Sequence, residues 1–372
     1  MRSRDSGSGS LPPDSPRDEN LDDLRDRISR IDQELVAMAA QRVALARRAG
    51  ELKRRRGIPT VDYAQERIVV ERARRAAREL GLGSAVAEEL MAGLIRASVT
   101  AQDDDNLRLA AVGTGKTAVV VGGAGRMGRW MVGFLSAQGF RTGVLDPAAP
   151  AETNDATRRA LPSADLVVCS TPPAATARLY LDWLQEPPSG VVVDIASIKT
   201  PLIEPIRALQ RSGGRVASIH PMFGPSTYLL RDADVVVCDT DDSGTLETVE
   251  SLFQPTTARL VRVPLVDHDR IMADLLSLAH ASAIAFALAL PATKPPVRST
   301  SFRALESLAA AVVRESPEVY YEIQAKNPHS PAALERLRAA LDRLTASIRA
   351  QDVDGFRSLL EEGRTRTPET PG

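Results

Sequence analysis

The run Val121-Gly122-Gly123-Ala124-Gly125-Arg126-Met127-Gly128 constrains this chain more than any other segment. It follows an apolar run, 118–121, that reads as a strand, and it precedes a helical pattern from Trp130 to Ala137. Asp146 closes the next apolar run, Thr142 to Leu145, about twenty residues on. Strand, glycine turn, helix and acid in that order form the context of a dinucleotide-binding turn. Glycine lets the backbone turn tightly and approach a pyrophosphate, and the helix N-terminus supplies N–H groups and a positive dipole end. Gly123, Gly125, Arg126, Met127 and Gly128 are the expected cofactor contacts. Asp146 would accept hydrogen bonds from a ribose 2′-hydroxyl and repel a 2′-phosphate, which predicts NAD rather than NADP.

Composition narrows the class. A chain of 372 residues predicts two or three domains, and 43% hydrophobic residues suffice for their cores. A net charge of −1 excludes a general nucleic-acid or membrane binder. Cys169 and Cys238 sit in apolar strand-like runs and read as buried thiols in a reducing compartment. The first twenty residues lack the apolar core of a signal peptide and read as a disordered tail. Leu275 to Leu290 is the longest apolar-rich run. His280 and serines interrupt it, so it reads as a buried helix too short for a bilayer. A cytoplasmic protein with no metal is expected.

Residues 21–104 are helical in pattern. Leu21, Leu24, Ile28, Ile31, Leu35, Met38, Leu45, Ala49 and Leu52 recur at three- and four-residue steps. A helix from Leu21 to Arg56 would be roughly 50 Å long, too long a stripe for one small domain to cover, so a partner chain is expected. A turn at Gly57-Ile58-Pro59 precedes Asp62, an N-cap with Gln65 three residues on. The second helix stops at Gly81-Leu82-Gly83, and a third runs from about Ser84 to Gln102. Residues 105–116 read as a linker. From 117 to 264, short β-rich runs alternate with helices: 118–121, 142–145, 166–170, 191–194, 216–220 and 235–238. That is a doubly wound α/β domain. Residues 265–362 are helical again, and 363–372 read as a disordered tail.

The first helix carries an anomaly. Arg42 sits in the apolar stripe between Met38 and Leu45, and a buried cation needs a partner. Lys53 shares its face about three turns on, whereas Arg25 lies about 100° away and serves a different surface. Asp62 and Glu66 share a face of the second helix, and Ser98 and Gln102 share one of the third. Together they make a cationic pocket for a small dianion, or a set of ordinary surface ion pairs; spacing alone leaves both open.

The segments Leu24-Arg25-Asp26-Arg27-Ile28-Ser29, Ile31-Asp32, Gln41-Arg42, Gly50-Glu51-Leu52-Lys53, Pro59 and Glu66-Arg67 resemble the all-helical chorismate mutases over about 20–102. The resemblance implies a dimer that shares its long helices, with Arg25 reaching the partner's site. It implies that Arg42 binds a carboxylate of chorismate, supported by Ser98. Lys53 and Gln102 would face the breaking ether oxygen, and Asp62 and Glu66 would hold the ring hydroxyl. Such a unimolecular rearrangement needs substrate compaction and cations where charge develops.

Two further segments sit at strand ends: Asp194-Ile195-Ala196-Ser197-Ile198-Lys199 and Ser218-Ile219-His220-Pro221-Met222-Phe223-Gly224-Pro225. A histidine held by proline at a strand end serves equally as a general base or as a structural residue at a bend. With the glycine turn, these segments resemble prephenate dehydrogenase over about 115–362. The order is that of the bifunctional chorismate mutase/prephenate dehydrogenases, isomerase and oxidoreductase of tyrosine biosynthesis. The implied architecture is multidomain: an all-α mutase domain, an α/β Rossmann-like doubly wound domain, and an all-α dimerisation and substrate domain. The resemblance implies that His220 takes the proton of the prephenate C4 hydroxyl as hydride leaves C4 for NAD⁺, and that loss of CO₂ aromatises the ring to 4-hydroxyphenylpyruvate. Ser197 would lie near that hydroxyl, Lys199 would stabilise charge, and His280 would contribute to substrate binding.

Two departures stand out. Gln65 occupies a position where the mutase family usually has arginine, and Ala311 stands where the dehydrogenase family has a carboxylate-binding arginine. Arg303 and Arg314 are the nearby substitutes, Arg303 preferred. The loss of two cations opens a second reading, the same two steps on 4-amino-4-deoxychorismate and 4-amino-4-deoxyprephenate. Asp62 and Glu66 would suit their ammonium. A third reading is a working mutase carrying a degenerate regulatory dehydrogenase module, which the intact His-Pro-Met-Phe-Gly-Pro run opposes.

Overall fold

The structure, a computed structural model, describes residues 20–58, 62–227, 230–231, 233–293, 296–314 and 316–367. Of the sequence-based expectations, the tail over 1–19 and Pro59 lie outside the described residues. Two compact units divide the chain, residues 1–105 and 106–372.

Three helices carry the first unit: α1 (Leu21–Arg55), α2 (Tyr63–Glu79) and α3 (Ser84–Ala110). Asn20 caps α1 by accepting from the Asp22 N–H at 3.2 Å, and Lys53, Arg54 and Arg55 occupy its last turn, where cations complement the helix dipole. Asp62 caps α2 through the Gln65 N–H at 3.0 Å, as the spacing predicts. The apolar stripe of α1 stays uncovered within one chain: Ile28, Leu45 and Leu52 are all more than half exposed. The linker expectation needs correction. Helix α3 continues to Ala110: its last turns belong to the second unit, where Leu107 restores an apolar face beyond the acidic run 103–105 and is buried in that unit's own core.

The second unit is built on one seven-stranded sheet: β1 (Thr117–Val121), β2 (Arg141–Leu145), β3 (Leu166–Cys169), β4 (Val191–Asp194), β5 (Arg215–Pro221), β6 (Asp234–Asp239) and β7 (Arg259–Pro264). Their order is β2-β1-β3-β4-β5-β6-β7. All neighbours are parallel except β5 and β6. The six expected strands are present, and β7 is additional. Helices α4 (Arg126–Ala137), α5 (Ala151–Ala160), α6 (Pro173–Asp182), α7 (Ile203–Arg211) and α8 (Ser243–Phe253) connect the strands. The central strands read as unbroken apolar runs because both faces are covered. Residues Val120, Val168 and Val193 pack with Met131, Leu135 and Phe253 on one face; Val119, Val167 and Val192 pack with Tyr180, Ile206 and Leu209 on the other. The chain reverses its direction of travel between β1 and β3, and a ligand crevice forms at the carboxyl ends of strands beside such a switch.

Helices α9 (His268–Met272), α10 (Leu278–Ala289), α11 (Thr300–Val313), α12 (Pro317–Ala325), α13 (Ser330–Ala350) and α14 (Val353–Arg366) complete the unit. A π-helical turn, Ala273–Ser277, joins α9 to α10. The freed carbonyl of Ser277 accepts from Gln324 Nε2 at 3.0 Å. Two expectations change here. The helix that holds the apolar run is longer than the run itself: Leu265–Ala289 has 25 residues, with an 18-residue stretch of mean hydropathy 1.7, enough by length and composition to cross a membrane. Nor is it buried within one chain, since Ala283 is the one buried residue of α10 and Leu288 is 81% exposed. The expected C-terminal tail is helical as far as Arg366, and 368–372 lie outside the described residues.

Candidate active site

In the first unit the polar residues are strung along α1. Arg42 Nη1 donates to Ser98 Oγ at 2.7 Å and to the Leu94 carbonyl at 2.8 Å. Its partial burial pulls the guanidinium below its ordinary pKa. Gln102 is buried and donates to the Ala46 carbonyl at 2.6 Å. Gly50 makes that possible, since a Cβ there would sit 2.9 Å from Gln102 Cγ. Lys53 Nζ lies 3.9 Å from Asp62 Oδ2. Asp62 therefore does double work, with its other oxygen capping α2. Glu66 is half-buried on the same helix. Arg25 stands apart, 68% exposed and paired with Asp22 at 3.0 Å.

The glycine turn of the second unit is built to hold backbone against backbone. Gly122 adopts φ +81°, and a Cβ there would lie 2.3 Å from the Ser170 carbonyl oxygen. At Gly128 a Cβ would lie 2.1 Å from the Gly122 carbonyl oxygen, and at Gly123 2.8 Å from Val144 Cγ1. Gly125 caps α4 without a side-chain hydrogen bond, leaving the first-turn N–H groups for an anion. Asp146 accepts from the Ala124 N–H at 3.1 Å and from the Ala148 N–H at 2.9 Å, and each oxygen keeps a lone pair for a ribose hydroxyl. These residues fit a dinucleotide. The substitution Gly128→Ala is expected to raise the Kd for NADH more than about tenfold, since backbone must move by over 1 Å. A fluorescence titration measures it.

Above the sheet opens a cavity of 560 Å³ lined by Gly125, Arg126, Met127, Ser170, Ile195, Ser197, His220, Pro221, Met222, Phe223, Gly224, Pro225, Leu276, His280, Ser316, Val319, Tyr320 and Ile323. Six predicted residues thus meet here: Gly125, Arg126, Met127, Ser197, His220 and His280. The cavity runs from the glycine turn to the helical region, as a site for hydride transfer requires. Its loop wall is fixed to the cofactor helix. Trp130 of α4 donates to the Thr227 carbonyl at 2.9 Å, and its ring lies 4.9 Å from that of Phe223. His280 meets Tyr320 edge-on at 4.5 Å, and its Nδ1 has no protein partner.

His220 is buried at the end of β5, and its Nδ1 lies 3.1 Å from His268 Nε2. His268 Nδ1 lies 2.7 Å from Asp269 Oδ1. Burial first, then the nearby charges of His268 and Lys199, hold His220 well below its ordinary pKa against the opposing pull of Asp269. Burial alone would raise Asp269. The hydrogen bonds from His268, Thr200 and the backbone of Lys199 and Thr200 outweigh it and bring the carboxyl to about 2. With its pKa lowered, His220 stays neutral as pH falls through its ordinary value of about 6.5. The acid limb of the dehydrogenase kcat/KM profile is therefore expected below pH ~6.5. A stopped-assay pH series reads it, and a limb above that value contradicts the assignment.

Lys199 and Arg303 are corrected by their surroundings. Lys199 does not line the cavity. Its ammonium is fully buried, donating to Asp194 Oδ1 at 2.5 Å and to the Ile219 carbonyl at 2.8 Å. A lysine buried this completely is held by its ion pair, so it braces the strand end beneath His220 rather than meeting substrate. Arg303 and Arg314 are exposed and also absent from the cavity wall. Arg126, beside the glycines, is the one arginine or lysine among the described lining residues. His268 and Asp269 escaped sequence reasoning. The signal was there: the chain has four histidines, and a His-Asp pair opens the helix that follows a strand ending at Pro264, one short turn on.

Comparison with known proteins agrees with this geometry. Family models match residues 24–103 (chorismate mutase type II), 139–262 (prephenate dehydrogenase, nucleotide-binding domain) and 266–362 (prephenate dehydrogenase, dimerization domain). The chain is 27% identical to the T-protein of Enterobacter agglomerans over 342 residues, 90% of this chain and 89% of that one. It is 32% identical to the 4-amino-4-deoxyprephenate dehydrogenase of Streptomyces pristinaespiralis over 270 residues, 66% of this chain and 89% of that one. Prephenate dehydrogenase from Aquifex aeolicus, solved with hydroxyphenyl propionate and NAD⁺, shares the fold at a TM-score of 0.53 and 18% identity, covering 68% of this chain and 96% of that one. With a helical mutase unit ahead of a nucleotide sheet and a helical cap, the chain belongs to the family that fuses a type II chorismate mutase to a prephenate dehydrogenase.

Proposed function

We propose that the chain carries out two consecutive steps: rearrangement of chorismate to prephenate, then NAD-dependent oxidative decarboxylation of prephenate to 4-hydroxyphenylpyruvate. The observation that carries the second step is His220, which opens on the same cavity as the glycine turn, Ser197 and His280. Bound NAD⁺ supplies the hydride acceptor. His220, neutral at physiological pH, borrows the C4 hydroxyl proton as the C4–H bond gives up its hydride. The bond to the ring carboxylate then breaks, its electron pair enters the ring, and the proton returns to the phenolic oxygen. Ser197 offers a hydroxyl beside C4, and His280 lines the same cavity with its ring edge-on to Tyr320.

For the first step, Arg42 with Ser98 supports carboxylate binding, and Lys53 with Gln102 offers donors where the ether oxygen gains charge. Asp62 and Glu66 remain for the ring hydroxyl. The uncovered stripe of α1 supports a homodimer in which Arg25 serves the other protomer's site, and exposed Leu275, Leu288 and Leu308 extend the argument to the helical cap. A cytoplasmic location follows from such biosynthetic chemistry.

A second reading has a specific observation behind it. Among the described residues no arginine or lysine but Arg126 lines the cavity, and position 311 is alanine. A substrate with an ammonium at C4 needs fewer cations, and a relative of 32% identity bears the name of such a dehydrogenase. NADH formation from chorismate, prephenate and their 4-amino-4-deoxy forms decides. Turnover of prephenate with kcat/KM above that of the amino form supports the main reading; the reverse order installs the second. No NADH from either prephenate form, with chorismate still consumed, overturns both and leaves a mutase with an idle module.

A further inference from the structure

We infer that His268 and Asp269 are positioning residues that act through His220, fixing the tautomer that makes it a base and taking up the charge it acquires. The inference rests on the reading of His220 as the group that accepts the C4 proton.

The hydrogen bonds determine the tautomers one after another. Asp269 Oδ1 accepts from the Lys199 N–H at 2.8 Å, and Oδ2 from the Thr200 N–H at 2.7 Å and the Thr200 hydroxyl at 2.6 Å. These donors, together with His268, hold the carboxyl at about 2, so at neutral pH the group is an ionised carboxylate. An acceptor at Asp269 Oδ1 requires a proton on His268 Nδ1, 2.7 Å away. Neutral His268 then presents a bare Nε2. That nitrogen, 3.1 Å from His220 Nδ1, requires a proton there. His220 is left with its lone pair on Nε2, the nitrogen free to serve the cavity. Asp269 is anchored a further time from the helical cap, where Asn327 Nδ2 donates to its backbone carbonyl at 2.7 Å.

The same chain carries charge. When the C4 hydroxyl proton arrives on His220 Nε2, the proton on Nδ1 passes to His268 Nε2. The positive charge then sits on His268, against the Asp269 carboxylate, and the return of the ring proton reverses both moves. No proton is gained or lost over the cycle. Burial and Lys199 disfavour a cation on either ring, but His268 has the Asp269 hydrogen bond and the charges of Asp269 and Asp194 in its favour, against the charge of Asp269 alone for His220. Ser197 and His280, on the cavity side, take no part in the chain.

The test uses the full-length protein. His268→Leu removes the acceptor, whereas His268→Gln retains an amide oxygen that can receive the His220 proton. His268→Leu is expected to lower dehydrogenase kcat about 100-fold or more, with KM for NAD⁺ and prephenate within about threefold and mutase activity kept. His268→Gln is expected to recover most of that loss but to flatten the acid limb of the pH profile. A His268→Leu enzyme within threefold of the parent, or a His268→Gln enzyme as impaired as His268→Leu, overturns the inference. A second measurement does not depend on any His268 variant. With four histidines, ¹⁵N-histidine NMR of the parent protein reads each tautomer, the His220 signal being assigned by its loss in His220→Asn. A proton on His220 Nδ1 at neutral pH supports the inference, and a proton on Nε2 refutes it. Retained activity in His220→Asn would instead sink the reading of His220 as the base, which separates the two failures.

Discussion

Dehydrogenase turnover in His220→Asn is expected to fall by about 10³-fold or more, while chorismate is still rearranged at close to the parental rate. Asparagine fills a similar volume and keeps a donor that can meet His268 Nε2, so the end of β5 need not move. What it lacks is a basic nitrogen aimed into the cavity. A positioned general base contributes typically 10²–10⁴-fold, and few neighbours are placed to substitute. Ser197 is no base at neutral pH, and His280 belongs to a different wall, on α10. Initial rates of NADH formation, with NADH binding as a control on the cofactor turn, provide the measurement. Unchanged turnover would remove His220 from the mechanism.

The second large effect is on stability. Lys199→Met is expected to destabilise the protein by about 3–5 kcal/mol, because it leaves Asp194 charged, buried and without its cation. The Ala196 N–H, 3.1 Å from Oδ1, would remain, but Asp194 Oδ2 accepts no hydrogen bond. The pair also couples strands, since the Lys199 ammonium spans from Asp194 on β4 to the Ile219 carbonyl on β5. Urea unfolding followed by fluorescence measures the loss. The double variant Lys199→Met/Asp194→Leu, which removes both charges, is expected to recover much of it; a double variant no more stable than the single one would refute the ion-pair explanation.

The contrast between these residues shows what a sequence of this kind discloses. The glycine turn, its strand and Asp146 were legible because a dinucleotide imposes local geometry, with each residue constrained by chain neighbours. Asp62 was legible for the same reason: a cap is a contact three residues long. Lys199 was misread because its partner and its burial arise from strand pairing, which places Asp194 beside Ser218 across β4 and β5. Strand β7 was missed because Arg259 and Arg262 spoil its apolar run. In the fold they are satisfied by Asp234 and Glu250, as suits the outermost strand of a sheet. The extension of α3 was missed because three successive aspartates read as an end, when one buried leucine further on continues the helix. His268 and Asp269 act through hydrogen bonds to residues 48 and 70 positions away, a separation that no local pattern encodes.

The antiparallel run of β6 has its own consequence. A parallel neighbour to β5 would oblige the chain to cross to the far edge of the sheet and return, and the carboxyl edge would stay open there. The reversal keeps the connecting residues on the near edge, so Met222, Phe223, Gly224 and Pro225 hang over the site as a hem sewn to the cofactor helix by Trp130. Substrate preference can thus be retailored within one short segment, without disturbing the register of a single parallel strand.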